Sequence, residues 1–230
     1  MSFWAPFTFI MNTLVHLFDG GSDIMNTESD QLLLDSFKEM IFKNPMTPSK
    51  QGFSAAALFG RPELTQGQRI KFGIKIEQWI NIIVDNHPTI VSIKGKESNL
   101  WMDLDNNKIV VGGNGEGLKD IDNMFRIDND AYYLEAKSSL DLDTEKGPAT
   151  IEKVEAITES LRESGKYSSV TGKILSPFWE YEKNIPTKSA IRKYIKKGGV
   201  MFFKEFSELL DLGLTKEKYE ARCKKMGKLI

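Results

Sequence analysis

An α/β fold, a mixed β-sheet flanked by helices, is predicted by three observations. Apolar residues recur at helical spacing before a block of short β-prone runs, that block ends in a hairpin-like pair, and a helix and a further strand follow it. At 230 residues the chain can bury one substantial core, and its 40 % apolar and 27 % charged content is that of an ordinary globular protein. The expected organisation is an N-terminal extension over residues 1–26 and one domain over residues 27–230, with a basic helical C-terminal part.

The first expected helix runs from Thr27 to Phe42, where Leu32, Leu33, Phe37, Met40 and Ile41 share a face and Thr27 or Ser29 can cap it. Asn44 to Gly60, with Pro45, Pro48 and Gly52, reads as a loop. A longer helix is expected from Thr65 to Val84. Its predicted apolar stripe is Ile70, Gly73, Ile80 and Val84, with Glu77 in line, and Asn86, His87 and Pro88 end it. Strands are expected at Thr89–Ile93, Leu100–Leu104 and Lys108–Val111, with a turn at Asn106–Asn107. Asp120–Ile127 and Ala131–Lys137 then form a hairpin about a turn at Asp128–Asp130.

After a loop through Pro148, Ile151, Val154, Ile157 and Leu161 mark an amphipathic helix, and Ser169–Leu175 reads as a strand. A basic helix at Thr187–Lys197, a break at Gly198–Gly199, and helices around Phe203–Leu210 and Thr215–Met226 complete the chain.

One cysteine, Cys223, rules out an internal disulfide and fits a reducing, cytoplasmic setting. Two histidines, His16 and His87, with that cysteine are too few for an ordinary zinc site. The apolar stretch from Phe3 to Phe18 has no basic flank and is interrupted by Asn12 and His16, so it reads as a packing extension or as translated sequence upstream of a start at Met11 or Met25, with no membrane role. The net charge of −1 does not announce a polyanion partner, but its distribution is uneven. Acids dominate Asp120 to Glu145, whereas Lys188, Arg192, Lys193, Lys196, Lys197 and Lys204 lie in a stretch free of acids.

Strand periodicity projects Glu135 and Lys137 to one side and Leu134 and Ala136 to the other. If the hairpin pairs in the obvious way, Asp122 reaches that same side. Two converging carboxylates repel each other unless a cation lies between them. Carboxylate oxygens suit Mg2+, which polarises a phosphodiester and acidifies water, and the Lys137 amine beside them can orient that water or stabilise developing charge. A Glu-x-Lys tripeptide alone is weak, and on a charged strand it is usually a solvated face. Here it ends an aromatic β-prone run and is accompanied by an aspartate on the preceding strand and a glutamate in a helical seam.

These residues resemble the restriction-endonuclease-like, or PD-(D/E)xK, nuclease superfamily, and more narrowly type II restriction endonucleases. The likeness runs through Gly60 and Arg61, Thr65 to Gly67, the helix with Glu77, Asp120 to Asp122, Tyr133 to Lys137, Leu140 to Lys146 and the helix beginning near Thr150. It implies a restriction-endonuclease-like core in which Asp122 and Glu135 are metal ligands, Lys137 is the catalytic lysine, and Glu77 is a helix carboxylate that supports the metal site. The proline that precedes the aspartate in the family pattern is replaced by Ile121. The choice between Asp120 and Asp122 thus stays open, with Asp122 preferred because it lies further inside the strand. Glu77 has an alternative fate at the edge of its stripe, reaching water.

Gly112 to Gly117 is glycine-rich, but no helix and no Gly-Lys-Ser follow it, so a surface loop is expected. Asp141, Asp143 and Glu145 are expected to cap or solvate the next helix more than to bind metal. The basic run Lys188, Arg192, Lys193, Lys196 and Lys197 is expected to contact a DNA backbone, its alternative being a solvated helix packed by Ile191 and Ile195. Arg61, Gln66, Arg69 and Lys71 are weaker candidates for the same role. The expected activity is site-specific cleavage of double-stranded DNA within a restriction-modification system, by a homodimer matched to a palindromic site. A repair nuclease of the same fold and a non-catalytic DNA-binding domain are the rivals.

Overall fold

The computed structural model describes residues 55–61, 64–94, 100–112 and 117–228. The expected helix at residues 27–42, most of the loop before Gly60 and the centre of the glycine-rich stretch lie outside the described residues.

The described chain is α/β, with two sheets and flanking helices. Ala55–Phe59, expected as loop, is a short 3-10 helix. Helix α1, Gln66–Asp85, starts where Thr65 and Gln68 cap it reciprocally: the Thr65 hydroxyl accepts from the Gln68 N–H, and Gln68 Oε1 accepts from the Thr65 N–H. Its buried face is Gln68, Phe72, Ile76, Trp79, Ile80 and Val84. The expected stripe holds at Ile80 and Val84 but not at Ile70, which is 62 % exposed because Phe72, Ile76 and Trp79 offer the larger area to bury. The neighbouring face carries Gly73, Glu77 and Asn81 towards the strands that hold the site.

Five strands form a mixed sheet in the order β1-β5-β6-β7-β8. They are β1 (Val91–Ser92), β5 (Asn123–Ile127), β6 (Asp130–Ala136), β7 (Ser169–Ser176) and β8 (Val200–Phe202). The β1–β5 and β5–β6 pairs are antiparallel, and β6–β7 and β7–β8 are parallel. A parallel pair needs a crossover, and α2 (Lys146–Glu163) and α3 (Ser189–Lys196) provide the two. Strands β2 (Leu100–Asp103), β3 (Lys108–Val111) and β4 (Leu118–Asp120) make a separate antiparallel sheet in the order β3-β2-β4.

The expected continuous strand Asp120–Ile127 is therefore two strands in different sheets. The chain leaves β4 at Asp120 and enters β5 at Asn123, so Ile121 and Asp122 form the junction. Between β5 and β6 the turn is tight, and Asp128 adopts φ 53°, a conformation that an aspartate tolerates better than most residues. Helix α2 begins a turn earlier than expected, at Lys146, with Pro148 inside its first turn, where a missing N–H costs nothing. Strand β8 was not anticipated, because Val200–Phe202 is too short to show a period.

The C-terminal helices α4 (Phe203–Leu209) and α5 (Lys216–Lys228) pack under α1. Trp79 stacks on Phe203 at 5.6 Å and Phe203 on Tyr219 at 4.1 Å, and Phe59 meets Phe72 edge-on at 5.5 Å. This aromatic block belongs to a buried cluster that extends from Ala55 to Met226 and seats α1 against the sheet. Among the described residues no helix is long and apolar enough to cross a membrane.

Candidate active site

The β5–β6 register pairs Asn123 with Leu134, and one step further it sets Asp122 opposite Glu135. Both side chains are buried. Asp122 Oδ2 accepts the Ala136 N–H at 3.1 Å, which ties the junction residue to the end of β6. Glu135 Oε2 accepts from the Tyr133 hydroxyl at 2.7 Å, two residues earlier on the same strand face. Each carboxylate thus accepts a hydrogen bond from β6.

Two lysines join them. Lys137 Nζ lies 2.6 Å from Glu135 Oε1 and 3.8 Å from Asp122 Oδ2. Lys153 Nζ, from α2, lies 2.7 Å from Glu135 Oε2, 3.5 Å from Asp122 Oδ1 and 2.9 Å from Asp120 Oδ1. The carboxylates of Asp122 and Glu135 therefore converge on the same two ammonium groups, on one side of the sheet. Asp120 touches this cluster only from the rim, its side chain being 60 % exposed.

The electrostatics of the two acids differ. Burial, then the neighbouring Glu135 carboxylate, push the Asp122 carboxyl from 3.8 up to about 7, against the pull of Lys137 and Lys153. Burial also works to raise Glu135, but Lys137 and Lys153, through charge and hydrogen bonds, outweigh it and hold Glu135 below the usual glutamate value. Burial works against the charge on Lys153, yet Asp122 and Glu135 overcome it and raise that ammonium's pKa. Burial beside Glu135 and Asp122 lifts the Tyr133 phenol well above its ordinary value, so it stays a donor.

Glu77 stands one step away. Its Oε1 pairs with Lys94 Nζ at 3.1 Å, and the same ammonium donates to the Asp122 backbone carbonyl at 2.6 Å. Asn81 Nδ2 donates to that carbonyl as well, at 3.2 Å. Glu77 thus reaches the site through Lys94, and α1 grips the backbone of Asp122 rather than its carboxylate.

Sequence reasoning missed Lys153, Lys94 and Tyr133. Lys153 sits four residues before the buried Ile157, so a charged residue in the seam of α2 was the available signal. Tyr133 shares strand parity with Glu135, which was legible. For Lys94, which follows the two-residue edge strand β1, the sequence carried no signal.

Of the other candidates, Asp143 Oδ1 accepts the N–H groups of Glu145 and Lys146 and so caps α2. Asp141 lies 3.7 Å from Lys188, the residue that opens the basic helix α3. On α3 itself Ile191 and Tyr194 are buried, while Lys188, Arg192, Lys193, Lys196 and Lys197 are exposed. Arg192 Nε and Nη2 donate to the Thr187 hydroxyl and carbonyl. Gln66 and Lys71 are exposed on the first turns of α1, Arg69 Nε donates to the Leu64 carbonyl, and Arg61 follows the 3-10 helix. No protein-family model, no curated protein and no solved structure matches this chain.

Proposed function

We propose that this chain is a Mg2+-dependent endonuclease of the restriction-endonuclease-like superfamily, cutting double-stranded DNA at a specific site as type II restriction enzymes do. The observation that carries the reading is the convergence of the Asp122 and Glu135 carboxylates, buried and on adjacent strands, with Lys137 at their side. An enzyme of this kind needs two acids that share a cation, and these two already share ammonium groups.

The residues fit a hard divalent ion on donor chemistry. Among the described residues no group of three or more His, Cys, Asp or Glu side chains is set to hold a metal unaided. Mg2+ keeps several waters and is commonly held by one or two carboxylates together with substrate phosphate, so Asp122 and Glu135 suffice. Burial and then the Glu135 carboxylate raise the Asp122 carboxyl, and a divalent ion held by the pair would favour its charged form.

When bound, the ion supplies Lewis-acid polarisation of the scissile phosphate and a lower pKa for the attacking water. Asp122 and Glu135 would hold it. Their orientation is set by the Ala136 N–H and the Tyr133 hydroxyl, so little reordering accompanies binding. Lys137, the more exposed of the two lysines at 27 %, is the group able to meet a phosphate, orient the nucleophile and neutralise charge that develops in the transition state. Lys94 and Asn81 keep the Asp122 backbone in register with Glu135. The exposed lysines of α3 supply a surface for DNA phosphates.

Plasmid DNA incubated with the protein and Mg2+ tests the reading. Discrete fragments sharing a sequence at their ends are expected. Lys137→Ala lowers the cleavage rate by about 10²–10⁴-fold while DNA binding persists. A smear or junction-only cutting instead indicates a repair nuclease. The Lys153 contacts favour one further rival, a purely structural ion network. Under that reading no DNA is cut and Lys137→Ala only alters stability.

A further inference from the structure

Lys153 has a place in the cluster that neither strand motif accounts for. Its ammonium contacts Asp120, Asp122 and Glu135 at 2.9, 3.5 and 2.7 Å, which puts one positive charge at the point on which three carboxylates converge. A divalent ion held by Asp122 and Glu135 would bind the same oxygens at about 2.0–2.6 Å. Lys137 holds the other oxygen of each acid, Glu135 Oε1 and Asp122 Oδ2, so an ion seated on Asp122 Oδ1 and Glu135 Oε2 competes with Lys153 and not with Lys137. Repulsion between that ion and an ammonium on the same two oxygens drives Lys153 off.

We infer that Lys153 is a tethered counter-cation, which neutralises Asp122 and Glu135 in the metal-free protein and withdraws to Asp120 when a divalent ion takes its place. The inference rests on the metal-dependent reading above. Two features make the exchange feasible. The third contact, Asp120, lies at the exposed rim and already touches the ammonium, so Lys153 can leave the two inner acids without losing every partner. The lysine also comes from a different element, α2, whereas both acids are fixed on the β5–β6 pair, so its side chain can swing without disturbing the oriented carboxylates.

The exchange sets affinity. Metal binding must displace an ion pair, so the empty protein binds divalent ions more weakly than the carboxylates alone would. Lys153→Met keeps most of the stem and removes the charge. Lys153→Arg keeps the charge.

Calcium titration of the full-length, DNA-free protein by calorimetry tests this. Lys153→Met is expected to bind Ca2+ at least tenfold more tightly than wild type, and Lys153→Arg no more tightly. In chelator Lys153→Met should melt below wild type, and Ca2+ should raise its melting temperature by more than it raises that of wild type. Should Lys153→Met fail to fold even with Ca2+, wild type labelled at its lysine side chains gives the reading. The Lys153 ε-methylene signal, assigned by its loss in Lys153→Arg, shifts on Ca2+ addition. Equal or weaker Ca2+ binding by a folded Lys153→Met, or an unmoved Lys153 signal at saturating Ca2+, overturns the inference. If wild type nonetheless cuts plasmid with Mg2+, the nuclease reading survives that result. Absence of Ca2+ binding by every variant together with absence of cleavage removes both.

Discussion

Asp122 is the most stressed residue of the cluster, and its stress has a measurable sign. Its carboxyl is raised from 3.8 to about 7, first by burial and then by Glu135. Between those values the folded chain keeps a proton that the unfolded chain has released, so the Asp122 contribution to stability falls as pH rises across the window and levels off above it. Glu135 is shifted downward from 4.5, so it adds an opposing rise in stability at the acid end of that range, whereas Lys153, shifted upward from a value far above neutrality, adds nothing there. In the upper part of that window, up to about pH 7, thermal unfolding in chelator should therefore show a loss of stability with rising pH that Asp122→Asn removes. An identical slope in the variant would assign the titration to another group. Deprotonation also precedes cation binding, so divalent-ion affinity should rise with pH across the same range.

Helix α2 brings Lys153 to the carboxylates, and how closely it can lie on the sheet is set at Gly172 of β7. A Cβ at Gly172 would overlap the Thr158 hydroxyl, which itself is held by the Val154 carbonyl at 2.5 Å. Gly172→Ala should force the helix outward and destabilise the protein by about 1–3 kcal/mol or more, the usual cost of overpacking a core. Adding Thr158→Ala to that variant makes room and should recover part of the loss. Chemical denaturation of these two variants and of Thr158→Ala alone measures the three numbers, and additivity of the two single effects would show that the residues do not meet. Gly199 allows a similar close approach, its Cα lying against the Tyr194 ring so that α3 can turn directly into β8.

At the scale of the molecule, exposed basic residues gather on one helix. Acids cluster at the ends of β4, β5 and β6, and α3 presents Lys188, Arg192, Lys193, Lys196 and Lys197 to solvent. The Lys188–Asp141 contact joins the start of α3 to the segment that follows β6. If α3 tracks a DNA backbone, replacing Lys193, Lys196 and Lys197 by alanine weakens binding to all sequences alike. Each lost phosphate contact lowers the slope of log affinity against log salt by about 0.9. Fluorescence anisotropy over a salt series reads this, and an unchanged slope would move the DNA contact to another face.

The α/β class, most of the described elements and the Glu135–Lys137 pair were legible because each depends on local periodicity, whereas Asp122 joins that pair from a junction and not from the strand interior where it was expected. Strand parity alone sets Glu135 and Lys137 on one side, and helical spacing alone marks α1 and α2. Contacts that join distant segments were not legible in this way. Which face of α1 turns inward depended on Phe203 and Tyr219, more than 120 residues away, competing for Trp79. The break that leaves Asp120 at the end of β4 and Asp122 in the junction before β5, the grip of Lys94 and Asn81 on the Asp122 carbonyl, and the arrival of Lys153 all come from such long-range packing. A repeat of 2.0 or 3.6 residues records which side of one element is apolar, but not which partner that side will meet.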